Sequence, residues 1–371
     1  MNLYEERLNR IRAAVELEPV DQIPTVSGSI AFSCTAAGTL MKDYLDDMEL
    51  NCTTNLKAAD MIGNLDALQA ALYTCEQLPP IWLSEVRRAG RELPDHELWQ
   101  VAEKELIHQS DYDEILKNGF APWYNNYLTE RLHYDFQTAM GPFVSYMPTA
   151  LQRAAEAGYP VINGGAWCSP FEMICGGRSL TAFLVDDLLE IPDKVEQVFD
   201  VIHRFNMERY EDSLKNGHKP IGIWVGGWRE TPETLSPAMF ERFSWKYMRE
   251  IIELLISYDV IPILHLDACW NLGLHYFRDL PAKKCIMALD GKTDIFKAKE
   301  IVGDRMCIMG DVPAEMLAFG TADNVYQYVE ERVKRVGPTG YIVCSGCDIP
   351  YNAKLENVQA MYKAAKKSAV R

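Results

Sequence analysis

His265, Asp267 and Cys269 recur with period two at the end of the apolar run Val260-Ile-Pro-Ile-Leu264. A β-strand sends alternate side chains to the same face, so the three aim together for as long as the strand lasts. An imidazole, a carboxylate and a thiol on one face could ligate a metal or hold a substrate. The competing assignment is a core histidine bonded to a backbone carbonyl, with Asp267 capping the next helix. Other candidates close other apolar runs: Trp167, Phe171 and Glu172; Trp228 and Arg229; Trp270; Asp290; Asp311; Cys347 and Asp348. Taken singly, each tryptophan suits helix packing. Three at one rim would instead wall a pocket for a flat, apolar ligand.

These residues sit where a repeating pattern changes phase. From Tyr159 onward, short apolar runs alternate with helical segments, the rhythm of βα units. The expected strands are Tyr159–Gly164, Pro220–Val225, Val260–Leu266, Lys284–Leu289, Met306–Met309 and Gly340–Cys344. Two earlier runs, Ile23–Ser29 and Leu65–Leu72, bring the count to eight. Expected helices cover residues 1–18, Leu56–Ile62, Pro192–Leu214, Ser236–Tyr258, Asp294–Val302, Thr321–Val336 and Leu355–Lys367. Ser236-Pro237 reads as an N-cap with a first-turn proline, and Gly303 and Gly337 read as exit residues at positive φ. Eight strands with helices between most pairs point to an α/β fold, a (β/α)8 TIM-type barrel with an N-terminal helical extension. A doubly wound sheet is the competitor. The whole chain, 1–371, is expected to be a single barrel domain. Residues 75–151, dense in Pro, Tyr, Trp and charge, read as an inserted loop subdomain.

Composition narrows the partners. Against 37 Lys and Arg stand 53 Asp and Glu, a formal charge of −16, which repels phosphate backbones and anionic lipid and argues against nucleic acid and membrane surfaces. The amino terminus lacks the apolar core of a signal peptide, and no run approaches a membrane span, so a cytoplasmic location is expected. Ten cysteines, scattered except for Cys344 and Cys347, suggest free thiols and a metal site rather than a disulfide framework. Gly176-Gly177 and Gly226-Gly227 lack the spacing of a nucleotide loop. Base rates alone make a homodimer the default.

The stretch Gly340-Tyr-Ile-Val-Cys-Ser-Gly-Cys-Asp-Ile-Pro350, followed by Leu355-Glu-Asn-Val358, resembles the closing strand of the uroporphyrinogen decarboxylase superfamily. Pro262-Ile-Leu-His265, Gly303–Asp311 and Tyr159–Gly177 match it in the same order. The resemblance covers most of residues 150–370 and implies a (β/α)8 barrel. The decarboxylase branch carries an arginine-rich element after its first strand, whereas Val26–Gly38 contains no arginine. The string Arg88-Ala-Gly-Arg-Glu-Leu-Pro94 reads as a look-alike. The other branch comprises zinc-dependent methyltransferases that exchange methyl groups with a corrinoid protein, using a His-x-Cys pair on the fifth strand and a lone cysteine after the eighth. On that resemblance His265 and Cys347 are metal ligands, and Asp267 stands where the middle cysteine would be. Cys344 is structural.

A carboxylate in place of a thiolate hardens the ligand set and leaves a stronger Lewis acid, better suited to an ether oxygen than to a thiol. The resemblance therefore implies methyl transfer from a small aromatic substrate, an aryl methyl ether of the guaiacol, veratrole or vanillate type, to cobalamin on a partner corrinoid protein. Zinc is expected on His265 and Cys347, completed by Asp267 or Glu172. Glu172 or Asp311 alternatively gives a proton to the leaving phenolate, and Trp167, Phe171, Trp228 and Trp270 wall the aryl pocket. Alternatives are another methyl donor, a thiol acceptor, a decarboxylase of a small aromatic acid, and a corrinoid-binding or sensing module without chemistry.

Overall fold

The computed structural model describes residues 2–367. Its strands, in chain order, are β1 (Val26–Ser27), β2 (Ala67–Leu68), β3 (Glu85–Arg87), β4 (Gln100–Ala102), β5 (Asn163–Trp167), β6 (Gly222–Gly227), β7 (Ile261–Leu266), β8 (Ile286–Leu289), β9 (Cys307–Val312) and β10 (Tyr341–Ser345). Strands β5 to β10 pair in parallel in chain order, and β1 pairs in parallel with β2. Two seams close the ring. Val343 N donates to the Pro24 carbonyl at 2.9 Å, joining β10 to β1. Leu68 N donates to Pro160, and Ile162 N donates to Leu68, each at 2.9 Å, joining β2 to β5. The protein is an eight-stranded parallel barrel, with β3 and β4 forming a separate antiparallel hairpin.

Alternation decides what faces the axis. Val26, Ala67, Ile263, Ala288, Met309 and Ile342 pack together inside the ring, while Leu264, Leu266, Ile308 and Val343 join the outer core against the helices. The leading helix Leu3–Val15, capped by Asn2, packs Ile11, Ala14 and Val15 into the inner cluster. Arg10 secures this end by pairing with Asp21 at 2.7 Å and with Asp66, beside β2, at 2.5 Å.

Helix starts follow their caps. Ser236 accepts from Met239 N, with Pro237 in the first turn. Asp294 caps Ile295–Val302, and Thr321 caps Ala322–Val336. The last helix is Leu355–Lys367, as expected. Residues 75–151 hold the hairpin, helices Gln109–Asn118 and Phe120–Asn126, and most of the long helix Phe136–Glu156, which runs on past them. Among the described residues no helix is long and apolar enough to cross a membrane.

Several boundaries differ from expectation. The third barrel strand was expected at Tyr159–Gly164 and forms at Asn163–Trp167, where pairing with β6 begins. Pro160 has no N–H to give the ladder. Strand β9 runs past Met309 to Val312, which puts Asp311 inside a strand. Gly303 and Gly337 have φ of −68° and −67°, not the positive values expected. Space explains them instead: a β-carbon would lie 2.3 Å from the Lys299 carbonyl oxygen at Gly303 and 2.6 Å from that of Val333 at Gly337.

A three-donor site in the barrel mouth

His265 follows Ile261 and Ile263 on the axis-facing side of β7 and is buried. Its Nε2 lies 3.2 Å from Asp267 Oδ1 and 3.6 Å from Cys347 Sγ. The ligand atoms of all three residues lie within 4.8 Å of one another. Around a tetrahedral ion with bonds of about 2.0–2.3 Å, neighbouring ligand atoms stand roughly 3.3–3.7 Å apart. This nitrogen, oxygen and sulfur set therefore fits zinc with little movement.

The surrounding loops fix the two flanking ligands. Asp267 N donates to the Gly227 carbonyl at 3.1 Å, and Trp270 Nε1 donates to the Asp267 carbonyl at 2.8 Å. Asp290 accepts from Ala268 N and Lys292 N, both at 2.8 Å. On the other side, Ser345 Oγ donates to the Cys347 carbonyl at 2.5 Å. Gly346 packs so closely on Asp290 that a β-carbon would fall 2.4 Å from its carbonyl oxygen.

Cys269 does not join the cluster. The strand ends at Leu266 and Ala268 takes φ of +64°, which breaks the period-two alternation. Cys269 N instead donates to Glu233 at 3.2 Å. All ten cysteines are free; Cys344 is buried and burial pushes its thiol up to about 12, whereas Cys347 is exposed.

Burial opposes charge on His265, but hydrogen bonds with Asp267 and Cys347 outweigh it and raise its pKa well above the usual range. Behind the cluster, burial pushes Asp348 up to about 6, against the pull of His265, and its Oδ1 has no hydrogen-bond partner. Trp224 lies flat on His265, with ring centroids 4.3 Å apart.

Of the expected pocket aromatics, the structure brings only Trp228 to the mouth. Its ring occupies the space beside Gly226, the strand partner of His265, where a β-carbon would meet it at 2.5 Å. Trp82, at the end of the short helix Leu78–Trp82, meets Trp228 edge-on at 5.3 Å, and the Arg229 guanidinium lies 5.5 Å over the Trp82 ring. Gly176 permits this seating, because a β-carbon there would lie 2.0 Å from the Trp82 carbonyl oxygen.

The other three are packing residues. Trp167 pairs in register with Val225, on the outer face, and stacks on Tyr210 at 4.1 Å. Phe171 is fully buried between Phe183 and Phe199. Trp270 is fully buried against Phe240 and Phe277. A hydrophobic residue just past a strand can turn back over the outer helices as readily as over the mouth.

The two candidate acids also face elsewhere. Glu172 accepts from the backbone amides of Trp228, Arg229 and Glu230 at 2.8, 2.5 and 3.2 Å and pairs with Arg229 at 3.3 Å. Its burial raises its pKa, opposed by Arg229 and those amides. It is an anchor for the loop that carries Trp228, outside the donor cluster. Asp311 pairs with Arg332, on the outer helix Ala322–Val336, at 3.1 Å. Burial raises its pKa and Arg332 opposes the rise.

Trp224 and Trp82 are not among the candidates read from sequence; Asp348 is, as a strand-end residue beside Cys347, without a role. Trp224 sits two residues before Gly226 on one face of β6, so period-two counting could have found it. Trp82 lies in the weakly periodic segment and gives no such signal.

An eight-stranded parallel barrel with three clustered donors at the C-terminal ends of its strands is the architecture of a (β/α)8-barrel protein with its site in the usual place. Residues 134–368 match the family described as Uroporphyrinogen decarboxylase (URO-D), and the chain belongs to that family. It is 27% identical over 134 residues to the chloroplastic uroporphyrinogen decarboxylase of Zea mays, a match covering 36% of this chain and 33% of that one. It is 22% identical over 241 residues to the uroporphyrinogen decarboxylase of Hydrogenovibrio crunogenus, covering 62% and 65%. The chain thus spans about a third of the length of the plant relative and less than two thirds of the bacterial one. The solved structure of a methyltransferase from Methanosarcina mazei superposes with a TM-score of 0.70 over 97% of this chain and 98% of that one, at 18% identity, and has the same fold.

Proposed function

We propose that this protein is an enzyme that moves a methyl group from an aryl methyl ether to the cob(I)alamin of a separate corrinoid protein. The observation that carries the reading is the cluster of His265, Asp267 and Cys347 beside the ring of Trp228. Three protein ligands are the number that catalytic zinc sites use. His265, Asp267 and Cys347 would hold the ion, and zinc, when bound, supplies Lewis acidity toward the ether oxygen. Trp224 holds the His265 ring in plane. Trp228 and Trp82 offer aromatic surface to the aryl group and exclude water from it. Glu172 and Asp311 are committed to other partners and take no part in this scheme.

The test is spectrophotometric. The purified protein is mixed with cob(I)alamin without oxygen and offered guaiacol, veratrole, vanillate, methanol and methylamine in turn, then retested with a corrinoid protein. Methylcobalamin formed from the aromatic ethers alone supports the reading. Methyl transfer from methanol or methylamine keeps the reaction and discards the aryl donor, and transfer from no donor overturns both.

Decarboxylation of a small aromatic acid is the second reading, favoured by the names of the curated relatives. It requires a grip on carboxylates. Arg88 and Arg91 do not supply one freely: Arg88 pairs with Asp46 and Glu76, and Arg91 with Glu76 and Glu92. Carbon dioxide release from aromatic acids is the discriminating measurement.

A further inference from the structure

Two carboxyl groups, those of Glu172 and Glu230, are fully buried at the loop that carries Trp228, and they meet different partners. Glu172 faces donors alone: Oε1 accepts from the amides of Trp228, Arg229 and Glu230, and Oε2 pairs with the Arg229 guanidinium. Such a set suits an ionised, acceptor-only carboxylate. Glu230 lacks it. Its Oε2 lies 2.7 Å from the Ser169 hydroxyl, its Oε1 has no hydrogen-bond partner, and among the described residues no cation pairs with it. A hydroxyl accepts as well as donates, so Ser169 can take a hydrogen bond from a protonated Oε2.

A charge on Glu230 would stand unpaired in the interior and beside a like charge, and both conditions disfavour ionisation. Burial first, then the charge of Glu172, raise the pKa of Glu230 well above the carboxylate range, against the hydroxyls of Ser169 and Ser244. The other groups around the pair do not reverse that balance. Arg229 is already engaged by Glu172. Cys168, at the exit of β5, and Cys175, on the helix Pro170–Arg178, are thiols that burial keeps neutral, and Glu103 adds only negative charge beside Cys175.

We propose that Glu230 is a positioning residue of the mouth, held as the neutral acid so that Glu172, the only carboxylate of the pair, gathers the backbone of residues 228–230 and seats Trp228. The proton assignment stands on the buried pair; its use, presenting Trp228 to an aryl donor, rests on the reading above. Ionising Glu230 would place two like charges in one loop anchor and loosen Trp228.

Infrared spectroscopy reads the proton directly, because the carbonyl band of a protonated carboxyl stands apart from carboxylate bands. The purified protein should show such a band at neutral pH, and Glu230→Gln should lose it. Ser169→Ala, which removes a hydroxyl from the Glu230 carboxyl and none from that of Glu172, should shift it. A band that survives in Glu230→Gln, or one that Ser169→Ala leaves unmoved, overturns the assignment, and the second criterion holds even if Glu230→Gln does not fold. Linkage gives an independent measure. The folded native chain keeps a proton that the unfolded chain releases, so its stability falls as pH rises from the ordinary carboxylate range to the pH at which the band disappears. Over that window the folding equilibrium constant of the native chain, from urea titrations, should drop about tenfold per pH unit relative to Glu230→Gln. A ratio that does not change with pH contradicts a retained proton.

Acrylamide quenching, taken as the difference from Trp228→Phe, reports on the loop. Trp228 should be more accessible in Glu172→Gln, and in the native chain above the pH at which the band is lost, but not in Glu230→Gln. Native quenching in Glu172→Gln removes the positioning role. Methyl transfer from guaiacol is followed alongside. Its absence with the band and the stability slope intact sinks the functional reading alone; turnover without them sinks the assignment of Glu230 alone.

Discussion

Trp224 and His265 lie face to face on neighbouring strands, their ring centroids 4.3 Å apart and their planes 10° from parallel. Gly226 is paired beside His265 and Trp224 beside Ile263, so the indole reaches the imidazole from one step lower on the same inner face. Such a stack limits rotation of the imidazole and keeps Nε2 toward Asp267 and Cys347. Residues that orient a metal ligand are typically worth about 10–100-fold in metal affinity or activity. Trp224→Ala should weaken zinc binding by that order in a competition titration with a chromogenic chelator, whereas Trp224→Phe should retain most of it. Unchanged affinity in Trp224→Ala removes the orienting role.

Cys347 and Asp267 contribute different donors, and their substitutions should separate. Cys347→Ala is expected to lose both stoichiometric zinc, measured by elemental analysis, and turnover. Asp267→Cys introduces the His-x-Cys pattern of the zinc methyltransferases that the sequence resembles. Thiolate is the softer, more donating ligand, so this variant should bind zinc at least as tightly yet demethylate aryl ethers more slowly. Faster demethylation by Asp267→Cys contradicts the Lewis-acid role of the carboxylate set.

The pKa of His265 is raised by Asp267 and Cys347, and that direction fixes the sign of a pH effect. Zinc binds the neutral imidazole, so the ion must displace a proton. Zinc affinity should fall on acidification and rise with pH until His265 is neutral without metal. Isothermal titration in buffers of different ionisation enthalpy should show protons released on zinc binding; no release across the neutral range would contradict a protonated His265.

Trp270 and Trp228 should fail in different ways. Trp270 is fully buried among Phe240 and Phe277, and truncating a buried aromatic typically costs about 3–5 kcal/mol. Trp270→Ala should lower the urea midpoint markedly. Trp228 is half-buried and rests on Gly226, so Trp228→Ala should shift the midpoint little and raise KM for the aryl donor. A large KM effect in Trp270→Ala at unchanged stability would return it to the pocket wall.

Local rules made much of the fold legible in the chain. The period-two spacing of His265 and Asp267 aimed both side chains the same way, because side-chain direction in a strand depends only on the neighbouring residues. Ser236-Pro237, Asp294 and Thr321 marked helix starts through hydrogen bonds that span two or three residues. The eight apolar runs supplied the strand count, and the resemblance near Gly340–Pro350 singled out Cys347.

Closure of the barrel decided the rest. Whether a residue beyond a strand end turns inward or outward depends on partners far away in sequence. Asp311 found Arg332, Glu172 found the amides of Trp228, Arg229 and Glu230, and Trp167 found Tyr210. Cys269 left the cluster because Ala268 reverses the backbone where the Asp290 carboxylate holds its amide. Trp82 reached the mouth from a segment with poor periodicity because Gly176 lets one backbone seat directly on another. Sequence thus determined which side chains each strand offers to the axis. Tertiary structure decided which of the strand-end residues meet there, since packing and buried charge pairing act across the whole ring and not along the chain.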